Sequence, residues 1–273
     1  MVKSFRPDTY LEALQIIDAE KAVPYAGGTD WMVRKNSESN LIFLNHLQAL
    51  KVVQEEDENL YIGAVCTYKE LLSLESIPPV LKMAIKEIAS PTIRNAGTIG
   101  GNLCNASPAG DTLPVLYALQ ANVKLTSVYS SRVIKIQDFI LGPKRTDIRP
   151  NEILECIIVP KQSFNKVYYQ KVGARKADAI SKLSFVGLMQ IREGIIEEIR
   201  IAMGAVGPTV VKSSEIEQQY KGISLQEVLH ERKEFLDRYE AIIKPIDDQR
   251  STALYRKKTS LKLLEDFLVT SSL

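Results

Sequence analysis

Two glycine pairs constrain this chain more than any other feature. Gly27-Gly28 sits in Ala26-Gly27-Gly28-Thr29-Asp30, directly after the short extended run Ala22-Val23-Pro24-Tyr25 and before Trp31. Gly100-Gly101 sits in Thr98-Ile99-Gly100-Gly101-Asn102, within a stretch from Arg94 to Gly110 that reads as irregular. That stretch carries four of the chain's fourteen glycines. Paired glycines reach φ > 0 and leave no Cβ in the way. Successive N–H groups then turn inward and form a concave anion site, suited to a diphosphate. Hydroxyls of Thr29, Thr98 and Ser107 are candidate further donors. The plain alternative for each loop is an ordinary tight turn. Gly97, Gly100 and Gly101 have the wrong spacing for G-x-G-x-x-G, and neither pair is followed by Gly-Lys-Ser/Thr. A Rossmann site and a P-loop are therefore not expected.

A third candidate follows the second loop, Ser107-Pro108-Ala109-Gly110-Asp111. Asp111 opens a helical pattern, where aspartate is a common N-cap. Beside a phosphate nest, the same carboxylate also suits a ribose hydroxyl.

The chain around these loops reads as α+β. Leu11, Ala13, Leu14 and Ile17 have helical spacing after Pro7-Asp8-Thr9, and Trp31 to Lys35 read as a helical turn. Leu41–Leu44, Leu60–Val65, Asn122–Thr126, Val133–Ile136 and Ile153–Val159 read as strands. Thr67-Tyr68-Lys69-Glu70 has the form of a capping box, as does Ser224-Leu225-Gln226-Glu227. Pro78-Pro79 opens an amphipathic helix with Leu81, Ala84, Ile85 and Ile88 on one face, ending near Ser90-Pro91. Beyond Pro160 the pattern changes. Val167–Val172, Leu183–Ile191 and Ile195–Met203 form three strand-like runs, with a hairpin turn at Glu193-Gly194. Helices follow Gly207-Pro208, the last carrying Leu261, Leu264, Phe267 and Leu268. A boundary near residue 165 separates a domain of residues 1–165 from one of residues 166–273.

Composition narrows the function classes. A chain of 273 residues with 45% apolar and 25% charged residues has enough core for one large domain or two. Net charge is +2 with mixed signs, which does not point to nucleic acid or a charged membrane surface. Neither a signal-peptide core nor a run of 18 uncharged apolar residues appears. Cys66, Cys104 and Cys156 lie far apart without a C-x-x-C. That argues against a disulfide framework, a zinc site or an iron–sulfur cluster, and a cytoplasmic location is expected. His46 and His230 are too distant in sequence to suggest a His-based triad or metal site.

Taken in order, Pro24-Tyr25-Ala26-Gly27-Gly28-Thr29-Asp30, Arg94-Asn95-Ala96-Gly97-Thr98-Ile99-Gly100-Gly101-Asn102-Leu103 and Ala106-Ser107-Pro108-Ala109-Gly110-Asp111 resemble the FAD-binding (medium) subunit of the molybdenum hydroxylases. That family includes flavin subunits of xanthine dehydrogenase and carbon monoxide dehydrogenase. Gly204 to Thr209 and Asp247 to Arg256 resemble its C-terminal domain, so the likeness spans nearly the whole chain. The resemblance implies a two-lobed FAD-binding fold of the p-cresol methylhydroxylase/vanillyl-alcohol oxidase type. A C-terminal domain with a three-stranded antiparallel sheet and helices would follow it.

The resemblance also implies site roles. FAD would be held without a covalent link, its diphosphate wrapped by Pro24 to Trp31 and Thr98 to Asn102. Asp111 would meet a ribose or ribityl hydroxyl. Leu154 falls where the family packs an apolar residue near the adenine or flavin. Lys171 falls near a family lysine on the isoalloxazine side, its alternative being a solvated strand lysine. Ile88 stands where animal xanthine dehydrogenases carry an aromatic residue over the flavin, leaving Tyr25, Tyr168 and Tyr169 as candidates to pack on the ring. The implied partners are an iron–sulfur subunit and a molybdopterin-binding large subunit, with NAD as acceptor, in a dimer of heterotrimers. The rival readings are a carbon monoxide dehydrogenase-type subunit feeding the respiratory chain, a self-contained flavin oxidase, and a non-catalytic nucleotide-binding module.

Overall fold

The computed structural model of the chain describes residues 2–33 and 39–272. They form two compact units that interleave along the sequence. One comprises Met1–Pro78, Ala89–Ser107 and Gln120–Lys161; the other comprises Pro79–Ile88, Pro108–Leu119 and Gln162–Leu273.

The elements follow from local signals. After β1 (Ser4–Phe5), Thr9 caps α1 (Tyr10–Glu20) by accepting from the Glu12 amide, and Lys21 closes it in the left-handed region at φ 49. Next come β2 (Val23–Tyr25), a 3₁₀ turn over Trp31–Val33, and β3 (Leu41–Phe43). Arg34 and Lys35 of the expected turn lie outside the described residues. β4 (Val53–Glu56) and β5 (Asn59–Gly63) form a hairpin, and the Thr67–Glu70 capping box opens α2 (Tyr68–Ser73). α3 (Pro79–Lys86) is the expected amphipathic helix.

The stretch from Arg94 to Gly110 is not irregular, contrary to its glycine content. It holds the second half of α4 (Pro91–Ala96) and all of α5 (Ile99–Asn105). The Ser90-Pro91 break that lies beyond α3 starts α4, because Pro suits a first turn and the Ser90 hydroxyl accepts from the Ile93 amide. Thr98 does the same for α5, accepting from the Gly101 amide at 3.1 Å. Then follow α6 (Thr112–Ala118), β6 (Asn122–Thr126), β7 (Ser131–Lys135), α7 (Ile136–Phe139), the ribbon β8 (Ile140–Gly142) with β9 (Arg145–Thr146), and β10 (Ile153–Pro160). The remainder is β11 (Lys166–Val172), β12 (Leu183–Arg192), β13 (Ile195–Gly204), α8 (Ser214–Gln219), α9 (Leu225–His230), α10 (Arg232–Ile242) and α11 (Ala253–Ser271). At α9, Ser224 accepts from the Gln226 amide, a simple N-cap in place of the expected box.

The first unit has two lobes. One is a parallel sheet in the order β1-β3-β2, with Ala13, Leu14 and Ile17 of α1 packed against Ile42 and Leu44. The other is an antiparallel sheet in the order β4-β5-β10-β6-β7. Glu155 of β10 ties them together: it accepts from Tyr10 of α1 at 3.0 Å and from Lys124 of β6 at 2.7 Å.

The second unit is built on the antiparallel sheet β11-β12-β13. Leu183 through Met189 of β12 are all buried, as a strand covered on both faces must be. Leu183, Phe185 and Met189 share a core with Phe235, Tyr239, Leu264 and Phe267 of the C-terminal helices. Gly187 lets α11 approach, since a Cβ there would stand 2.7 Å from the Phe267 ring. Ser184 faces the opposite way, beside Gly204, whose own Cβ would also meet Pro114 of α6.

Phe267 fills the centre of this core, with ring contacts to Tyr168 and Phe185. Phe267→Ala is expected to cost about 3–5 kcal/mol, read as a lowered urea midpoint. A midpoint equal to wild type would show that this core does not hold the second unit together.

Candidate cofactor-binding site

The first glycine loop leaves the carboxyl end of β2, the end of a parallel strand where α/β sheets place their ligands. Two contacts dictate its glycines. A Cβ on Gly27 would lie 2.0 Å from the Ala96 carbonyl oxygen, so no side chain fits there. Gly28 has φ 69, and its Cβ would strike the Tyr25 hydroxyl. Tyr25 is thus taken up by Gly28 and by Phe43, whose ring is 5.0 Å away. The loop ends in a turn in which the Met32 amide donates to the Gly28 carbonyl at 2.9 Å. The amides of Gly27, Gly28 and Thr29 donate to no acceptor among the described residues.

The second loop differs. Gly100 and Gly101 lie in the first turn of α5 and neither has positive φ. The Ile99 amide donates to the Cys66 carbonyl at 3.1 Å and the Gly100 amide to the Ala64 carbonyl at 2.9 Å. The Gly101 amide meets Thr98 Oγ1, and the Asn102 amide meets the Thr98 carbonyl at 3.1 Å. The amides of Ile99, Gly100, Gly101 and Asn102 are therefore already committed. Gly100 is needed for close approach, since its Cβ would sit 2.5 Å from the Ala64 carbonyl oxygen. Gly101 is exposed, and a Cβ there would meet only Thr98 Oγ1, at 2.8 Å. The motif thus offers a smooth surface at Gly101, with Thr98 buried beneath it. The two loops come together in the first unit: Gly27 lies on Ala96, and Asn105 at the end of α5 donates from Nδ2 to Asp30 Oδ1 at 3.2 Å.

Ser107 follows Ala106, which closes α5 in the left-handed region at φ 44. Leu154 is buried in β10 opposite Leu125 of β6, beside a bulge.

Asp111 and Lys171 meet in the second unit. Asp111 stands at the N-cap position of α6, yet its side chain makes no capping bond. It accepts instead from Lys171 Nζ at 2.8 Å and from the Ser181 hydroxyl. Lys171 also donates to the Glu87 carbonyl at 2.8 Å and its side chain is only 6% exposed, so it is not a solvated strand lysine. Burial pushes the Asp111 carboxyl above its ordinary range, and the Lys171 ammonium and Ser181 hydroxyl oppose that shift. Tyr169, two residues before Lys171, is buried with its hydroxyl unpartnered, and burial raises its pKa. Tyr168 packs instead on Phe185 and Phe267. Sequence reasoning missed Ser181, Glu87 and Asn105, whose roles come from long-range pairing that no local pattern announces.

Comparison with known proteins decides what this architecture belongs to. Residues 1–162 match the family described as "FAD binding domain in molybdopterin dehydrogenase", and residues 168–271 match "CO dehydrogenase flavoprotein C-terminal domain". The chain is an FAD-binding subunit of the molybdenum hydroxylase family. The subunit is 31% identical to the glyceraldehyde dehydrogenase medium chain of Sulfolobus acidocaldarius over 262 residues, covering 93% of this chain and 92% of the relative. It is 28% identical to the xanthine dehydrogenase FAD-binding subunit of Escherichia coli O157:H7, covering 78% of this chain and 77% of that one. Its fold superposes on a chain of reconstituted CO dehydrogenase from Oligotropha carboxidovorans with a TM-score of 0.90 at 25% identity, covering 97% of this chain and 96% of that one. The two-lobed unit and the three-stranded antiparallel sheet with helices are those the sequence led us to expect. No helix of the subunit among the described residues is long and apolar enough to cross a membrane.

Replacing Lys171 by methionine strands a buried carboxylate, at an expected cost of about 3–5 kcal/mol near neutral pH. Loss of the ammonium raises the Asp111 pKa further. A raised pKa means the native state holds its proton longer than the unfolded chain, so stability falls as pH rises through the native value. The deficit of Lys171→Met relative to wild type should therefore grow as pH rises above the ordinary carboxylate range, and Asp111→Asn in the same chain should remove most of it. Urea unfolding at several pH values checks both; a deficit independent of pH contradicts the pairing.

Proposed function

We propose that the subunit holds FAD without a covalent link, with the diphosphate on the amides of Gly27, Gly28 and Thr29. The observation that carries this reading is the row of uncommitted donors beside left-handed Gly28, at the carboxyl end of a parallel strand. Such a row is an anion nest. Thr29 adds a hydroxyl, the buried Thr98 hydroxyl holds the first turn of α5, and Gly101 leaves the surface there open. Asp111, in this reading, meets a ribose or ribityl hydroxyl with acceptor capacity left after Lys171 and Ser181. Lys171 supplies the cation expected on the isoalloxazine side, where positive charge favours the reduced cofactor.

Bound FAD exchanges electrons singly or in pairs and so links one-electron donors to a two-electron acceptor. We infer a relay role: the subunit takes electrons from an iron–sulfur partner, itself supplied by a molybdopterin-binding large subunit, and delivers them to NAD in a xanthine dehydrogenase-like enzyme. Its similarity to the E. coli xanthine dehydrogenase FAD-binding subunit supports the xanthine dehydrogenase-like part of this reading. A second reading, a carbon monoxide dehydrogenase-type subunit feeding a respiratory acceptor, is favoured by the C-terminal match and the CO dehydrogenase likeness. Calorimetric titration of the FAD-loaded subunit with NAD separates the two, with saturable binding expected under the first reading only.

The purified chain should be yellow, with FAD released by acid. Colourless protein that cannot be reconstituted contradicts the proposal, and flavin retained after acid contradicts non-covalent binding. The glycines of the second motif should separate cofactor from fold. Gly101→Val should weaken FAD retention by about tenfold or more, equivalent to ~1.4 kcal/mol, in a chain that still folds. Gly100→Ala should cost about 1–3 kcal/mol of stability through overpacking against Ala64. Equilibrium dialysis and thermal melting read the two effects, and normal FAD content in Gly101→Val removes the second motif from the site.

A further inference from the structure

We propose that Asn105 is a positioning residue for the cofactor, its side-chain amide fixing the first glycine loop by tethering Asp30. The inference rests on the FAD reading above and deepens it. A loop whose amides are left for a ligand gains no rigidity from its own backbone hydrogen bonds. Between the Tyr25 carbonyl, which accepts from the Leu44 amide at 2.9 Å, and the Gly28–Met32 turn, the amides of Gly27, Gly28 and Thr29 brace nothing among the described residues. Gly27 and Gly28 also lack the Cβ that narrows backbone freedom. The aim of these donors must then be set from outside the loop.

Two contacts do so. At the start of the loop Gly27 rests on the Ala96 carbonyl. At its end Asp30 Oδ1 accepts from Asn105 Nδ2 at 3.2 Å, a bond spanning 75 positions of sequence. Asn105 is a firm anchor. It is the last residue of α5, whose first turn is pinned by the Gly100 amide on the Ala64 carbonyl. The next residue, Ala106, is held in the left-handed region at φ 44, donates to the Leu103 carbonyl and accepts from the Lys144 amide at 2.9 Å. The tether has an electrostatic side as well. Asp30 places a carboxylate next to donors meant for an anion, and a donor on that carboxylate makes a charge-assisted bond that occupies one oxygen.

The test is FAD affinity of the full chain, measured by flavin fluorescence for wild type, Asn105→Ala, Asn105→Asp and the swap Asn105→Asp/Asp30→Asn, with melting curves alongside. Asn105→Ala should weaken FAD by about tenfold or more, the worth of one hydrogen bond to a charged group. Asn105→Asp sets two carboxylates against each other, so its defect should exceed that of Ala and deepen as pH rises from about 4 to 7. The swap exchanges donor and acceptor and should recover to within about threefold of wild type, deciding the case even where Asn105→Ala is too unstable to load. Wild-type affinity in a folded Asn105→Ala, or a swap no better than Asn105→Asp alone, overturns the tether. Failure of wild type itself to bind FAD overturns the FAD reading, and the tether with it.

Discussion

Backbone packed directly on backbone at glycine is the constraint on which the first unit depends. Gly27 lies on the Ala96 carbonyl and Gly100 on Ala64, each too close for any side chain. The first contact joins the parallel lobe to the end of α4, and the second joins α5 to the end of β5. Without the first contact the loop after β2 could not lie against the end of α4. Glycine in a helix is costly, and here its cost is offset by an approach that no other residue permits.

From that packing follows a division of labour between two motifs that look alike in sequence. Both are glycine pairs flanked by threonine, but their amides have opposite fates. In α5 the first-turn donors are consumed by Cys66, Ala64 and Thr98, which fixes the helix. In the loop after β2 the donors are left over. One motif is therefore scaffold, and the other is the part proposed to hold the anion. The buried Lys171–Asp111 pair in the second unit is a comparable case. A charge pair at this depth is weak evidence for stability and stronger evidence that a charge is wanted there.

Much of this was legible in the sequence. Alternation announced β6, strand-like runs announced the β11–β13 meander, and helical spacing announced α1, α3 and α11. Glu193-Gly194 turned the hairpin as expected, with φ 52 and 79. Motif order was enough to give the family. The failures have physical causes. The Arg94–Gly110 stretch looked irregular because glycine is a weak helix former, whereas close packing and two N-caps override that propensity. Asp111 looked like an N-cap, but an ammonium and a hydroxyl from distant residues outbid the helix amides. Spacing also cannot say which sheet a helix covers: α3 and α6 precede residue 165 in sequence yet belong to the unit built on β11–β13.

The central claim is that the diphosphate of FAD is held by the amides of the first loop. Proton–nitrogen correlation spectra of ¹⁵N-glycine-labelled protein test it most directly, titrated in parallel with FAD and with riboflavin, which has the same ring system and no phosphate. The account predicts large shifts at Gly27 and Gly28 with FAD, little change there with riboflavin, and much weaker riboflavin binding. Equal affinity for the two ligands, with the Gly27 and Gly28 signals unmoved by FAD, would contradict it.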